Sequence, residues 1–274
     1  MASYFEVQSD FQHINIVNDG ARPGGHILYL DRMWQYNSTL EYRYHETIAS
    51  LPLSVVEMAE RVLVCGGGDG LAVRELLKYK EVKCIDLVEI DPMMTRLYST
   101  KEMLTSLNQR SLLDLRTNVH NIDAREFAKG NQDSYDMVIL DFPSPGSANE
   151  TKQYPNLYSV DNLAMFAGCL RSWGVLACQT SIKTRILVPF ARWLLENRFF
   201  IWNLDVSYEK AGSHDNFSFA SKQYLGKQQR PLPNKLRFIT MEHIKIGFSS
   251  TTEIKDDGLD YCRLFLDSES SEVD

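Results

Sequence analysis

The chain is 274 residues long, which corresponds to one or two domains of ordinary size. Apolar residues make up 44% and charged residues 24%, a balance that excludes a disordered or fibrous protein. Asp and Glu outnumber Lys and Arg by 36 to 29 without any basic cluster, so we expect no nucleic-acid partner. The excess of acid fits either solubility or an acidic cleft for cationic ligands. No apolar run approaches the roughly 20 residues of a membrane span, and we expect a cytoplasmic protein.

The first 50 residues have the character of a small antiparallel sheet. Residues Phe11 to Val17 alternate as a strand does, an Asn-Asp-Gly turn signal follows, and His26 to Leu30 is a second apolar run. Tyr42 to Ser50 then changes to helical character, and we expect this helix to end before Leu51-Pro52-Leu53. The sequence therefore predicts a β-rich N-terminal domain over residues 1–52.

From Arg61 onward, short apolar runs alternate with amphipathic segments, which predicts a parallel sheet with helices on both faces. In the first of these helices the apolar face begins at Leu71, and we expect Arg74, Glu75 and Lys78 on the opposite face. We assign residues 53–274 to this second domain, with an acidic tail at 267–274. The predicted strands are Val62–Cys65, Ile85–Val88, Met137–Leu140 and Gly174–Cys178.

The strongest chemical signal is a glycine-rich loop, Gly66-Gly67-Gly68-Asp69-Gly70, between a predicted strand and a predicted helix. Gly66, Gly68 and Gly70 let the backbone turn tightly and approach a ligand, in front of an electropositive helix N-terminus. Glu89 lies 23 residues after Gly66, where an acid typically binds the ribose hydroxyls of an adenosine-containing ligand. The combination predicts a nucleoside site, and a purely structural turn is the alternative.

Two further acids refine this prediction. The carboxylate of Asp69, inside the loop, would repel a pyrophosphate and suits a cationic ligand; S-adenosylmethionine carries both a sulfonium and an ammonium. Asp123, followed by Ala124, is placed either to face the adenine or to cap the helix that runs to Lys129, and the sequence leaves both possibilities open.

A larger set of residues, ordered along the chain from Tyr4 to about Phe248, matches one known family. Its members are Leu30-Asp31, Gln35, Tyr44-His45-Glu46, Leu51-Pro52-Leu53, the glycine loop, Val88-Glu89-Ile90-Asp91, Asp123, Gly174-Val175-Leu176, Gln179 and Phe238 to His243. This set resembles the spermidine synthase family of aminopropyltransferases. The resemblance implies a small N-terminal antiparallel β-sheet domain, a class I methyltransferase-like Rossmann domain, a homodimer, and decarboxylated S-adenosylmethionine as donor, and we expect no metal.

The resemblance also implies roles for residues in the donor pocket. Gln35 and Asp69 would contact the aliphatic arm of the donor. Glu89 would hold the ribose, while Asp123 and Ala124 would contact the adenine.

Other matching residues would surround the reacting groups. Tyr44 and Tyr208 match aromatic residues that line the reactive methylene and the acceptor, although Tyr44 could be a core residue and Tyr208 a surface strand residue. Gln179 and His243 are placed with the substrate-binding residues. His45 stands where the family has Gln, and it is either a packing histidine or a base or phosphate contact.

The family carries a loop of pattern Asp-x-x-Asp-Pro, the gate, after its fourth strand. In this chain the corresponding loop follows the predicted strand Met137–Leu140 and departs from the pattern. Asp141 matches its first acid, but Ser144 occupies the position of the second. In the family that second acid deprotonates the attacking amine and grips the ammonium of the donor.

This departure shapes the expected reaction. A sulfonium leaves without acid help, so the enzyme must position and deprotonate the nucleophile. Without the second acid, an ordinary polyamine is a less suitable acceptor, whereas a phosphate oxygen needs no base.

We therefore expect transfer of an aminopropyl or 3-amino-3-carboxypropyl group from decarboxylated or intact S-adenosylmethionine, with release of methylthioadenosine. The expected acceptor is a small molecule other than a simple polyamine, such as the phosphate of a peptide–nucleotide antibiotic, as in the branch that modifies microcin C. The alternatives are a spermidine synthase, an S-adenosylmethionine-dependent methyltransferase and a non-catalytic nucleoside-binding homologue.

Overall fold

The computed structural model describes residues 3–143, 157–179, 188–208, 213–225, 230–248, 254–255, 258–259 and 262–265. The N-terminal part is a four-stranded antiparallel meander in the order β1-β2-β3-β4, which confirms the predicted small sheet. Its inner face is apolar, and Ile14, Ile16 and Leu28 are buried. The strands are β1 (Ser3–Gln8), β2 (His13–Asn18), β3 (His26–Leu30) and β4 (Met33–Asn37).

A continuous helical stretch, α1, follows the meander in three segments: Tyr42–His45, Glu46–Ser50 and Leu51–Leu53. The middle segment is a π-helix, and the stretch continues through Pro52, so the predicted end at Ser50 is wrong. Pro52 follows directly on the π-helical segment, where the regular hydrogen-bond pattern of the helix is already interrupted.

The second part of the chain forms a large mixed sheet in the order β14-β10-β11-β9-β8-β5-β6-β7. Strands β5 to β9 pair in parallel, as the sequence predicts, but β11 is antiparallel to both β9 and β10. A two-residue pair, β12 (Ile254–Lys255) and β13 (Gly258–Leu259), lies apart from it. The strands of the large sheet are β5 (Arg61–Gly66), β6 (Cys84–Val88), β7 (Thr117–His120), β8 (Tyr135–Asp141), β9 (Leu170–Gln179), β10 (Phe200–Tyr208), β11 (Ser213–Ser221) and β14 (Cys262–Phe265).

Helices cover both faces of this sheet, as expected for a Rossmann-like α/β fold. Alternate residues of β5 belong to two different hydrophobic clusters. Val62 and Val64 pack with α1, the helix Leu71–Leu76 and the small sheet, whereas Leu63 and Cys65 pack with the helices Ala124–Lys129 and Val160–Gly168. No helix in the described ranges is long and apolar enough to cross a membrane. The helices after α1 are α2 (Leu71–Leu76), α3 (Pro92–Thr100), α4 (Glu102–Leu107), α5 (Ala124–Lys129), α6 (Val160–Gly168), α7 (Val188–Glu196) and α8 (Met241–Gly247), with a 3-10 turn at Ser111–Leu113.

The charged face of α2 is buried, and this corrects the sequence-based expectation that it faces solvent. Arg74 is 7% exposed and Glu75 is fully buried, because α1 packs across this face. Arg74 Nε donates to Glu75 Oε1 at 2.8 Å, and Lys78 Nζ lies 2.5 Å from Glu75 Oε2. Burial is tolerated because these charges pair with one another.

Glu46, in α1, ties the helical stretch to a segment near the other end of the chain. Its buried carboxylate accepts the backbone N–H groups of Arg237 and Phe238 at 2.8 Å and of Ile239 at 3.0 Å. We call this arrangement the Glu46 clamp. The acidic tail predicted at 267–274 lies outside the described residues.

Replacing Glu46 by Gln should lower the free energy of unfolding by about 2–4 kcal/mol. Hydrogen bonds to a charged acceptor contribute roughly 1.5–3 kcal/mol, and the NH₂ group of the new amide would face a backbone N–H, so two donors would oppose each other. Urea unfolding should show a lower midpoint with an unchanged m-value. Glu57→Gln, the same change at an exposed position, is the control. Equal midpoints for the two variants would contradict the clamp.

Candidate active site

The glycine loop lies between β5 and α2, against the ends of two neighbouring strands. Gly66 has φ +80°, and a Cβ there would lie 2.3 Å from the backbone oxygen of Asp141, at the end of β8. A Cβ on Gly68 would lie 2.6 Å from Cγ of Glu89. Glycine is therefore required at both positions, and the loop brings the predicted residues Asp141 and Glu89 to one edge of the sheet.

Glu89 follows β6 and is buried beneath the loop. Its Oε2 accepts the N–H of Gly68 at 3.0 Å, and its Oε1 accepts the N–H of Asp91 at 2.9 Å. Burial raises the pKa of Glu89 to about 7. The two hydrogen bonds oppose this rise, whereas the negative charges of Asp91 and Asp69 add to it. The carboxylate is thus held in one orientation with lone pairs left to accept further hydrogen bonds.

Tyr44 and Asp141 form the second part of the site. The Tyr44 hydroxyl donates to Asp141 Oδ1 at 2.7 Å, and the Tyr44 ring centroid lies 5.3 Å from that of Phe217 on β11. Burial, together with the charge of Asp141, raises the pKa of Tyr44 well above its ordinary value, so the hydroxyl stays protonated. Tyr44 packs against the core, and its contact with the reactive methylene and the acceptor stays a prediction.

His45 is buried and held by Glu41. Its Nδ1 lies 2.8 Å from both the backbone oxygen and Oε2 of Glu41; because both are acceptors, Nδ1–H is the donor. Two Arg74 nitrogens hold the two oxygens of the same carboxylate at 2.8 and 2.9 Å. Burial lowers the pKa of His45, but Glu41, Asp69 and Asp141 outweigh it and raise the pKa to about 9. Near neutral pH His45 is therefore a cation, a state in which it does not accept a proton as a general base.

Asp69 and Asp141 give the site its negative character. Burial raises the pKa of Asp69 to about 6; the positive charge of His45 opposes this rise, and the negative charge of Asp141 adds to it. Burial also raises the pKa of Asp141. Within the described residues, neither carboxylate is paired with Lys or Arg, and no set of His, Cys, Asp or Glu is arranged to hold a metal ion. The arrangement suits an organic cation.

Asp123 shows the capping role that the sequence left open. Its Oδ1 accepts the N–H of Arg125 at 2.8 Å at the start of α5, and its Oδ2 accepts from Arg125 Nη2 at 2.6 Å. Ala124 is buried beside it. Contact of Asp123 and Ala124 with an adenine stays a prediction.

Of three other predicted residues, two lie apart from this cluster in their described contacts. Gln35 donates to the Met33 carbonyl in its own strand at 3.2 Å. His243 forms a capping box with Thr240 at the start of α8. Gln179, the last residue of β9, is instead the strand partner of Phe217, whose ring lies against Tyr44. Their substrate contacts stay predictions.

Two predicted residues fall where side chains are not described. Ser144 lies outside the described residues. The backbone of Tyr208 ends β10, and its side chain lies outside them as well.

The sequence analysis assigned no part in the site to three charged residues that the structure connects with it: Glu41, Arg74 and Asp215. Glu41 and His45 are four residues apart on consecutive helical turns, a spacing that signals a possible pair. Asp215 is two residues from Phe217 on β11, so both side chains share a face, and the charge of Asp215 helps to raise the pKa of Tyr44. The spacing of two residues between Asp215, Phe217 and Phe219 was the available signal, because it places the three side chains on one face of a strand.

Comparison with known proteins places this site in a family. The family described as "Spermine/spermidine synthase domain" matches residues 41–187, more than half of the chain. The chain belongs to this family. The matched range contains the glycine loop and the four residues Tyr44, His45, Glu89 and Asp141.

Curated relatives give the extent of this similarity. Polyamine aminopropyltransferase 2 of Bacillus cereus is 37% identical over 197 residues, which are 71% of this chain and 50% of that protein. Polyamine aminopropyltransferase 1 of Streptomyces coelicolor is 47% identical over 134 residues, 49% of this chain and 24% of that protein. The chain spans about half the length or less of the curated relatives it matches.

Solved structures support the fold. A spermidine synthase in complex with the transition state analogue AdoDATO superposes with a TM-score of 0.74 at 21% identity, covering 90% of this chain and 85% of that one. Spermidine synthase from Thermotoga maritima superposes with a TM-score of 0.69 at 20% identity, covering 90% of this chain and 84% of that one. The small antiparallel sheet joined to a Rossmann-like sheet is therefore the shared architecture.

Glu41→Gln removes the charge that outweighs burial at His45, so the pKa of His45 should fall from about 9 toward its ordinary value of 6.5. In the unchanged protein, the stability contributed by protonated His45 is complete below pH 6.5 and is lost as the pH rises through about 9. NMR titration of the imidazole resonances measures the shift directly. Glu102→Gln, at an exposed position, is the control, and an unmoved His45 titration in Glu41→Gln would refute the assignment.

Proposed function

We propose that this protein transfers an aminopropyl group from decarboxylated S-adenosylmethionine to an amine and releases methylthioadenosine. The observation that carries the proposal is the pair Asp69 and Asp141 at the edge of the sheet. Both carboxylates are partly buried beside the glycine loop and Glu89, and neither has a Lys or Arg partner among the described residues. A nucleoside that carries a sulfonium and an ammonium matches this combination.

The donor would be bound in two parts. Glu89 would accept the ribose hydroxyls, with Asp123 and Ala124 near the adenine and Gln35 beside the aliphatic arm. Asp69 and Asp141 would surround the cationic arm. A carboxylate on that arm would be repelled by both acids, and this supports the decarboxylated donor over intact S-adenosylmethionine.

In the transfer step, the amine nitrogen attacks the methylene beside the sulfonium. A C–N bond forms while the C–S bond breaks, and its electron pair goes to sulfur, which becomes a neutral thioether. Asp141 would take the proton that the nitrogen loses, and its raised pKa brings it closer to the operating pH of a general base. Tyr44, which donates to Asp141, would orient this carboxylate.

The acceptor is proposed to be a polyamine or diamine rather than a phosphate. Asp69 and Asp141 would repel a phosphate and attract an ammonium, and the curated relatives are named polyamine aminopropyltransferases. Asp215 adds a third acid near Tyr44, from β11 rather than from the gate sequence where Ser144 stands. Acids from two different strands, β8 and β11, suit an acceptor with an amine at each end.

Incubation with each donor form and putrescine, followed by mass spectrometry, tests the function. We expect methylthioadenosine and aminopropylated putrescine from the decarboxylated donor. Asp141→Asn should lower kcat by about 10²–10⁴-fold, the contribution typical of a general base. Asp161→Asn, at an exposed position on α6, is the matched control.

The products distinguish the competing functions. S-adenosylhomocysteine would indicate a methyltransferase, and nucleoside binding without product would indicate a non-catalytic homologue. Transfer from intact S-adenosylmethionine would overturn the choice of donor.

Asp215→Asn should raise KM for putrescine about tenfold, equivalent to ~1.4 kcal/mol of lost binding, with donor affinity unchanged. A monoamine acceptor of similar length should be much less sensitive, because it has no second ammonium. Asp205→Asn is the matched control, since Asp205 pairs with Asn216 and so lies on the opposite face of the same hairpin. Equal KM values for the two variants would exclude Asp215 from the acceptor site.

A further inference from the structure

Asp91 connects the small N-terminal sheet to the donor pocket. Its side chain is fully buried, and Oδ2 accepts from the Ser9 hydroxyl at 2.7 Å and from Gln12 Nε2 at 2.9 Å. Its Oδ1 accepts the N–H of Met93 and so caps α3. Among the described residues no Lys, Arg or His forms an ion pair with Asp91, so hydrogen bonds alone compensate its charge.

The turn that supplies two of these donors is itself ordered by Ser9. The Ser9 hydroxyl oxygen accepts the N–H groups of Phe11 and Gln12 at 3.1 and 3.0 Å, and the Ser9 N–H donates to the Gln12 carbonyl. The hydroxyl proton has two acceptors within reach, Asp91 Oδ2 at 2.7 Å and the Gln12 carbonyl at 3.0 Å, and the charged, closer carboxylate is the stronger acceptor. This turn between β1 and β2 therefore presents two donors in fixed positions.

Asp91 in turn holds Glu89. The backbone N–H of Asp91 donates to Glu89 Oε1 at 2.9 Å, opposite the Gly68 N–H on Oε2. A movement of Asp91 would therefore rotate the Glu89 carboxylate or remove one of its two fixed partners.

We infer that Ser9 and Gln12 are positioning residues that hold Glu89 in place for the donor ribose, acting through Asp91. The inference rests on the proposed function, because it takes Glu89 as the ribose acceptor. It gives the small sheet a part in nucleoside binding although neither residue is placed to touch the nucleoside.

The charge of Asp91 also affects the pKa of Glu89. Asp91 and Asp69 are the charged groups that raise the pKa of Glu89, in addition to burial. Loss of the Ser9 and Gln12 donors leaves the charge of Asp91 less compensated, so the pKa of Glu89 rises further. Because ionised Glu89 accepts both ribose hydroxyls, nucleoside affinity should then begin to fall at a higher pH.

Calorimetric titration with methylthioadenosine, an uncharged nucleoside, tests the inference across pH 5–9. In Ser9→Ala/Gln12→Leu, affinity at neutral pH should fall roughly fivefold, and the midpoint of its pH dependence should rise by about half a unit. Gln8→Leu is the matched control for Gln12→Leu: it makes the same chemical change at the end of β1, and within the described residues the Gln8 side chain donates to the Ser9 carbonyl and not to Asp91. Ser9→Thr, which keeps the hydroxyl, should behave as the unchanged protein.

The outcomes separate this inference from the function on which it rests. If Glu89→Gln weakens binding by one or more decades while Ser9→Ala/Gln12→Leu matches the Gln8→Leu control in affinity and pH midpoint, the positioning role is wrong. If Glu89→Gln leaves affinity unchanged, the ribose assignment itself fails. Should the double variant fold poorly, Gln12→Leu alone gives the same comparison, because the Ser9 turn remains.

Discussion

The charge balance at the edge of the large sheet depends on the buried carboxylate of Glu41. Glu41 lies between Arg74 and His45, and despite burial these two partners lower its pKa to about 2, so it stays ionised. It therefore keeps His45 positively charged. His45 is then one cation beside two acids, Asp69 and Asp141, with Glu89 and Asp215 nearby, so acids outnumber cations at this edge of the sheet. A ligand with an ammonium or sulfonium reduces this excess of negative charge, whereas a neutral or anionic ligand does not.

The helical stretch α1 distributes three consecutive side chains to three parts of the molecule. Tyr44 reaches the end of β8, His45 turns to Glu41 one helical turn earlier, and Glu46 holds the segment near Ile239. The π-helical turn begins at Glu46, at the point where these directions diverge. A short stretch of helix thus connects the edge of the large sheet, the Glu41 charge network and the segment at 237–239.

The sequence predicts the elements whose signal is local. Strand β3 has the predicted bounds, and β5, β6 and β8 extend the predicted runs by one or two residues at their ends, because a strand buried on both faces is a continuous apolar run. Strand β7 lacks such a run, since it is an edge strand without a fully buried residue.

The same distinction applies to the site. Asp69 and Glu89 were predicted because a glycine loop and an acid after the next strand are close in sequence. Arg74 was assigned to solvent because its partner Glu41 lies 33 residues earlier, and no local pattern shows that α1 covers it. Asp215 was missed for a related reason: the antiparallel return of β11, which brings it near Tyr44, is set by tertiary pairing.

The Glu46 clamp also bears on the order in which the chain folds. Its hydrogen bonds join residues 191 to 193 positions apart, so they close one of the longest loops in the protein. Loop closure over such a separation costs entropy before any contact compensates for it. The segment at 237–239 can dock only after α1 has formed and packed, since a single carboxylate receives all three N–H groups. Newly synthesised chains would therefore pair strands β5 to β11 first and attach the segment at 237–239 later, with the Glu46 carboxylate covered at that step.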